Sequence, residues 1–206
     1  MTLLLLARHG NTFGPGDRIV WVGARQDLPL VKSGEAQAAR LGEKLRELSL
    51  IPQRIVSGPL KRTRRAAEIV KAITASDAGI DIDKRLTEID YGSWGGKTDG
   101  EIVARFGPEA ISNWREDHQR PDNAGWTPDD ATLRSNAMAV LAGMEAAGSP
   151  ALVITSNGIL RYFHAAIGFT GDAKVKTGHV CAARHDGERW QPLVWNREPE
   201  DVPEDL

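Results

Sequence analysis

The sequence predicts an α/β fold, a three-layer sandwich with a mostly parallel central sheet. Two apolar runs, Leu3-Leu4-Leu5-Leu6-Ala7 and Ala151-Leu152-Val153-Ile154-Thr155, are short and greasy enough to be strands buried on both faces. Between them, segments with apolar residues three and four apart alternate with shorter strand-like runs, the order that builds a parallel sheet with crossover helices. At 206 residues the chain fits one domain, 1–206, with a cap-like excursion over about 92–128.

The first strand ends at Arg8-His9-Gly10, where glycine lets the backbone turn sharply. An irregular stretch from Thr12 to Val31 follows, and loops of that length are often functional in compact domains. Ser33 reads as the N-cap of a helix whose apolar face carries Ala38, Leu41, Leu45 and Leu48. A second strand, Arg54-Ile55-Val56, runs into Ser57-Gly58-Pro59, which opens a helix burying Ala66, Ile69, Val70 and Ile73. Asp81 to Leu86 is read as an edge strand or extended segment. The Gly-, Trp- and charge-rich excursion is expected to hold one short helix near Ile102, Val103 and Phe106.

Thr127-Pro128-Asp129-Asp130 starts a helix with acidic residues at its positive end, and Leu133, Ala137, Leu141 and Met144 form its buried stripe. The strand ending at Thr155 meets Ser156-Asn157-Gly158, which opens a helix closed by Gly168. Val180–Ala183 and Trp190–Val194 flank Asp186-Gly187, a type I′ hairpin signal. The acidic tail after Asn196 is expected to be loosely held.

Composition narrows the function. Hydrophobic content of 41% and charged content of 26% are those of a soluble globular chain, and a net charge of −2 gives no reason to expect nucleic acid as a partner. One cysteine, Cys181, excludes an internal disulfide and fits a reducing compartment. Leu3–Ala7 is too short and has no preceding basic residues for a signal peptide, and no segment reaches membrane-spanning length, so the expected location is cytoplasmic with no membrane partner. The five histidines lack zinc-ligand spacing, so no metal site is expected. The sequence sets no oligomeric state.

Ligands of parallel sheets bind beyond the carboxyl ends of the strands. Three strand ends here carry groups suited to an anion: Arg8-His9-Gly10, the cationic Lys61-Arg62-Thr63-Arg64-Arg65, and Ser156-Asn157-Gly158. Four cations opening a helix oppose its dipole, which a bound anion relieves. Lys61, Arg64 and Arg65 are read as facing water, while one of the four should face the ligand. Arg18, Arg25, Arg115 and Arg120 are open between pocket and surface. His118 and His164 are read as structural or exposed, Cys181 as a small buried hydrophobe, and Trp94, Trp114 and Trp126 as packing or as the lining of a substrate mouth.

These residues resemble the histidine phosphatase superfamily, which includes the cofactor-dependent phosphoglycerate mutases. Leu6-Ala7-Arg8-His9-Gly10-Asn11-Thr12 resembles its signature. Asp27-Leu28-Pro29-Leu30, Gly34 and Gln37-Ala38 are similar to its entry into the first helix. Ser57 to Arg62 resembles its second arginine motif, and Leu86 to Lys97 its acid-bearing motif. Ala151 to Arg161 resembles the strand and turn that normally carry a second histidine, and Thr177-Gly178 a later loop near the pocket. The resemblance implies a phosphoglycerate mutase-like fold, a nucleophile at His9, a phosphate clamp of Arg8 and Arg62 and a proton donor at Glu88. Asn11, Ser156 and Asn157 join the phosphate site. The chain also departs from the pattern: Ser156-Asn157 stands where the family has His-Gly, and Gly95 where it usually has Glu. Phe13-Gly14-Pro15-Gly16 offers no counterpart to the asparagine of mutases, and Gly125-Trp126 replaces an acidic residue. His179, next to Thr177-Gly178, is the candidate to compensate for the missing second histidine.

The expected function is a cofactor-free, metal-independent phosphomonoesterase, similar to a histidine acid phosphatase, acting on a small phosphorylated metabolite through a phosphohistidine. Mutase-type phosphotransfer and a phosphate-binding pseudoenzyme with a regulatory role are the alternatives.

Overall fold

The computed structural model describes residues 1–145 and 149–206. Its six strands are β1 (Thr2–Arg8), β2 (Arg54–Ser57), β3 (Ile80–Ile82), β4 (Ala151–Thr155), β5 (Val180–His185) and β6 (Trp190–Arg197). They form one sheet in the order β3-β2-β4-β1-β5-β6. The first four are mutually parallel, and β5 runs antiparallel to both β1 and β6. The α/β fold with a mostly parallel sheet is therefore as expected.

Side-chain alternation splits β1 between two cores. Leu3, Leu5 and Ala7 point to one face, against Ala38, Leu41 and Leu45 of α1 (Lys32–Glu47) and Ala66 and Val70 of α2 (Lys61–Thr74). Leu4 and Leu6 point to the other face. There the excursion, with α3 (Asp99–Phe106) and α4 (Glu109–Asp117), packs beside α5 (Asp130–Met144) and α6 (Asn157–Ile167). Each fully buried leucine contributes about 1.5–3 kcal/mol, which is why a strand with no polar face is stable only between two layers. With α1 and α2 on one face and α3 to α6 on the other, the carboxyl ends of β1, β2 and β4 stay open. Register aligns those ends, with Arg8 opposite Thr155 and Ser57 opposite Ile154.

Several local expectations are revised. Helix α1 begins at Lys32 with Val31 as N-cap, and no side chain caps it. Ser33 lies inside the first turn, where its hydroxyl accepts from Asn11 Nδ2 at 3.4 Å. The expected extended segment 81–86 is a strand only to Ile82, followed by a 3-10 turn over Lys84–Leu86 that Asp83 caps. The excursion holds two helices rather than one, because Gly107, at φ 85°, and Pro108 end the first and start the second. The β5–β6 turn has positive φ only at Gly187 among its central residues, so the I′ geometry is not formed; Asp186 instead accepts from the backbone of Glu188 and Arg189. The tail is also held. Pro199–Asp201 forms a 3-10 turn, Val202 is buried in the α1 side of the core, and Glu200 pairs with Arg40 at 3.1 Å.

Candidate active site

A cavity of about 900 Å³ opens over the aligned strand ends, and Arg8, His9, Asn11, Arg62, Glu88 and Asn157 line it. Four of its key side chains come from different elements: His9 from the turn after β1, Arg62 from the first turn of α2, Glu88 from the segment after β3, and Asn157 from the start of α6. The three strand ends singled out in the sequence do converge.

His9 is buried, and its Nδ1 lies 2.8 Å from the Gly10 carbonyl. Arg62 Nε donates to His9 Nε2 at 3.1 Å. Only one tautomer satisfies both contacts: Nδ1 carries the hydrogen and Nε2 presents its lone pair. Burial, then the charges of Arg62 and Arg8, hold the imidazole well below its ordinary range, so the ring is neutral. Gly10 is required at the turn, because a Cβ there would meet the Gly34 carbonyl at 2.2 Å.

Arg62 is 1% exposed. Its terminal nitrogens donate to the carbonyls of Gln26 (2.9 Å) and Gly23 (3.2 Å), so the long loop after β1 orients the guanidinium. Lys61, Arg64 and Arg65 are exposed as expected. The anion at the start of this helix is the chain's own Asp27, which accepts from the Lys61 N–H at 2.7 Å. Arg8 donates to the Val175 carbonyl at 2.7 Å, while its buried Nε has no acceptor among the described residues.

Glu88 is buried, and its carboxyl oxygens accept from the backbone N–H of Ile89 (2.8 Å) and of Gly158 (3.2 Å). Burial lifts it above the usual carboxylate range, outweighing those hydrogen bonds and the charges of Arg62 and Arg8. A Cβ at position 158 would lie 2.3 Å from Glu88 Oε1 and 2.9 Å from the Tyr91 hydroxyl. Glycine is therefore what lets α6 start against the acid. A neutral imidazole, two guanidiniums and a carboxyl raised above its usual range on one cavity form a set suited to phosphoryl transfer.

The remaining candidates divide. Asn11 lines the cavity with its Oδ1 accepting from Thr177 Oγ1 at 2.6 Å, and Asn157 lines it with its Oδ1 accepting from the Val175 N–H at 2.8 Å. Ser156 is wholly buried, does not line the cavity, and its hydroxyl has no partner among the described residues. His179 does not reach the cavity either. Its Nδ1 lies 3.2 Å from the Asn196 carbonyl and its Nε2 3.8 Å from Glu198, because β5 turns the side chain toward β6 and the tail. A compensating role for His179 is accordingly set aside.

Sequence reasoning passed over Tyr91, Trp21 and Arg161, all of which line the cavity. Trp21 meets Tyr91 and Trp94 edge-on, with ring centroids 5.2 and 4.9 Å apart, and donates to Asp99 at 2.9 Å, fastening the loop to the excursion. Trp94, Trp114 and Trp126 are all buried; Trp114 also lines the cavity.

The sequence profile of the histidine phosphatase superfamily (branch 1) matches residues 4–198. The chain belongs to this superfamily. Among its curated relatives, the 2,3-bisphosphoglycerate-dependent phosphoglycerate mutase of Bifidobacterium longum is 33% identical over 126 residues, 57% of this chain and 48% of that one. A probable phosphoglycerate mutase of Salmonella choleraesuis is 39% identical over 92 residues, 45% of this chain and 40% of that one. The chain thus spans less than half the length of these relatives. Among solved structures, a mycobacterial glucosyl-3-phosphoglycerate phosphatase superposes with TM-score 0.79 at 24% identity, covering 96% of this chain and 100% of the other. The α-ribazole phosphatase of Shigella flexneri superposes with TM-score 0.73 at 22% identity, covering 96% and 97%. At these identities the likeness shows that the histidine phosphatase fold is shared. Among the described residues no helix is long and apolar enough to cross a membrane.

Proposed function

We propose that this histidine phosphatase superfamily member is a phosphomonoesterase that forms a phosphohistidine at His9. The observation that carries the reading is the contact between Arg62 Nε and His9 Nε2, which places a cation beside the lone pair of a neutral imidazole. Arg8 and Arg62 hold the phosphoryl oxygens. The Nε2 lone pair forms a bond to phosphorus as the ester P–O bond breaks, and Glu88 gives its proton to the departing alkoxide. Water then attacks phosphorus and passes a proton to Glu88, and the N–P bond breaks to release inorganic phosphate and neutral His9. The two guanidiniums stabilise the charge on the equatorial oxygens in both steps.

Mutase-type transfer is the second reading, favoured by the names of the curated relatives. Incubation with 4-nitrophenyl phosphate and with 3-phosphoglycerate, in EDTA, separates the two. Release of nitrophenol and inorganic phosphate, abolished in His9→Ala, supports hydrolysis. Conversion of 3- to 2-phosphoglycerate without phosphate release supports the mutase, and phosphate binding without either reaction supports a pseudoenzyme.

A further inference from the structure

Glu88 lies on a stretch of chain that belongs to no strand of the sheet. After β3 this stretch passes the ends of β2 and β4, and a few tethers set its route. The Asp83 N–H donates to the Ser57 carbonyl at 2.9 Å, and the Ile89 carbonyl accepts from the Ala24 N–H at 3.1 Å. Between them, the Leu86 carbonyl accepts from the Thr155 hydroxyl at 2.8 Å, and no backbone N–H among the described residues donates to it. Gly58 also walls that seat, since a Cβ there would stand 2.7 Å from the Leu86 oxygen.

Thr155 is the last residue of β4 and is wholly buried. The residues before it, Ala151 to Ile154, are apolar, and valine has the same branched shape, so the hydroxyl calls for a reason. Satisfying a buried carbonyl is one reason, and it predicts a loss of stability and nothing more. The place of Thr155 in the site supplies another. Its own carbonyl accepts from the His9 N–H at 3.1 Å, and three residues on, the Gly158 N–H holds the Glu88 carboxyl at 3.2 Å. The turn from Thr155 to Gly158 thus touches the backbone of His9, the carboxyl of Glu88 and, through the hydroxyl, the main chain two residues before Glu88. Thr87 between them is extended, with φ −66° and ψ 133°, so a shift at Leu86 carries directly to position 88.

We infer that Thr155 is a positioning residue for Glu88: its hydroxyl fixes the Leu86 carbonyl and so holds the carboxyl at the distance from His9 that proton delivery to the leaving group needs. The inference rests on the proposed role of Glu88 as the acid. Two bonds of one residue then serve two functions. Thr155→Val removes the hydroxyl bond to the acid segment and keeps the backbone bond to His9, so proton delivery should fail while the nucleophile stays seated. A loosened carboxyl also gains water, and since burial is what raises its pKa, that pKa should fall toward the ordinary carboxylate value.

Steady-state rates with ethyl phosphate and 4-nitrophenyl phosphate test it, on the wild type, Thr155→Val, Thr155→Ser and Gly58→Ala. Thr155→Val should lower kcat/KM about tenfold or more for ethyl phosphate, and less than about threefold for 4-nitrophenyl phosphate, whose leaving group needs little protonation. The basic limb of its pH profile should move to lower pH, and the inhibition constant for inorganic phosphate should stay within about threefold of the wild type. Thr155→Ser, which keeps the hydroxyl, should bring ethyl phosphate turnover back to within about threefold of the wild type. Gly58→Ala crowds the same carbonyl and should reproduce the selectivity, and it decides the matter should Thr155→Val fail to fold. No loss, equal losses for the two leaving groups, a basic limb that stays in place or a defect shared by Thr155→Ser would overturn the inference. Glu88→Gln is the reference: if it loses both leaving groups equally, the acid assignment fails first and the positioning role with it.

Discussion

Arg62 Nε lies 3.1 Å from His9 Nε2 and donates to the one nitrogen whose lone pair is free. In the proposed reaction a phosphoryl oxygen arriving between them would take over the guanidinium and release the lone pair toward phosphorus. The proposed clamp and nucleophile thus form one unit, and the loop carbonyls of Gly23 and Gln26 keep Arg62 aligned.

Removing the clamp should therefore cost both binding and rate. Arg62→Ala leaves the phosphoryl charge under-compensated in a buried site, a loss of about 2–5 kcal/mol. The inhibition constant for inorganic phosphate should rise about thirtyfold or more. A constant unchanged from the wild type would mean that Arg62 does not touch the anion.

The pH profile follows from two opposite shifts. His9 must be neutral, and since burial and two arginines depress its pKa, the acid limb of kcat/KM should fall below the ordinary imidazole value. Glu88 must be protonated, and since burial raises its pKa, the basic limb should lie above the ordinary carboxylate value. Glu88→Gln should abolish that basic limb, while the ionisation of the substrate, common to both proteins, stays in place. With alkyl phosphates the rate should drop by about 10²–10⁴, and by much less with 4-nitrophenyl phosphate, whose leaving group needs little protonation. An equal loss for both leaving groups would remove Glu88 from the acid role.

Gly158 is predicted to be irreplaceable for the same carboxyl. Its Cβ position overlaps Glu88 Oε1 at 2.3 Å, so Gly158→Ala should destabilise by about 1–3 kcal/mol and lower kcat with it. Gly143→Ala is the control, because nothing lies within 4 Å of its Cβ position in α5. It should stabilise by about 0.5–1 kcal/mol and leave kcat unchanged. Urea unfolding and steady-state rates on both variants check the contrast.

Ser156→Ala removes a buried hydroxyl that has no partner among the described residues, so stability should hold or rise. Because neither Ser156 nor the His179 side chain lines the cavity, Ser156→Ala and His179→Ala should each keep kcat/KM within about threefold of the wild type. A hundredfold loss in either would restore that residue to the site.

Much of this arrangement was legible in the chain because it depends on local pattern. The apolar β1 and β4 runs, the helical spacing of Ala38, Leu41 and Leu45, and the polar residues at strand ends mark the layers and bring His9 and the Lys61–Arg65 cations to one edge, while Glu88 and the choice of Arg62 among those cations rest on resemblance to the superfamily's motifs. What escaped depends on distant packing. His179 follows a pocket loop in sequence, but β5 turns its ring to Asn196, a contact set by the hairpin and not by neighbours in the chain. Arg161 carried a signal that was available, a lone cation within Gly-Ile-Leu-Arg-Tyr-Phe. The number of helices in the excursion turned on Gly107-Pro108, whose breaking effect the apolar spacing masks.

Trapping the covalent intermediate tests the central claim most directly. The protein is mixed with 4-nitrophenyl phosphate, quenched within milliseconds without acid, digested at alkaline pH and read by mass spectrometry. The account predicts phosphate on His9, with label lost in His9→Ala and accumulating when attack by water is slowed in Glu88→Gln. Phosphate on any other residue, or turnover persisting undiminished in His9→Ala, would contradict it.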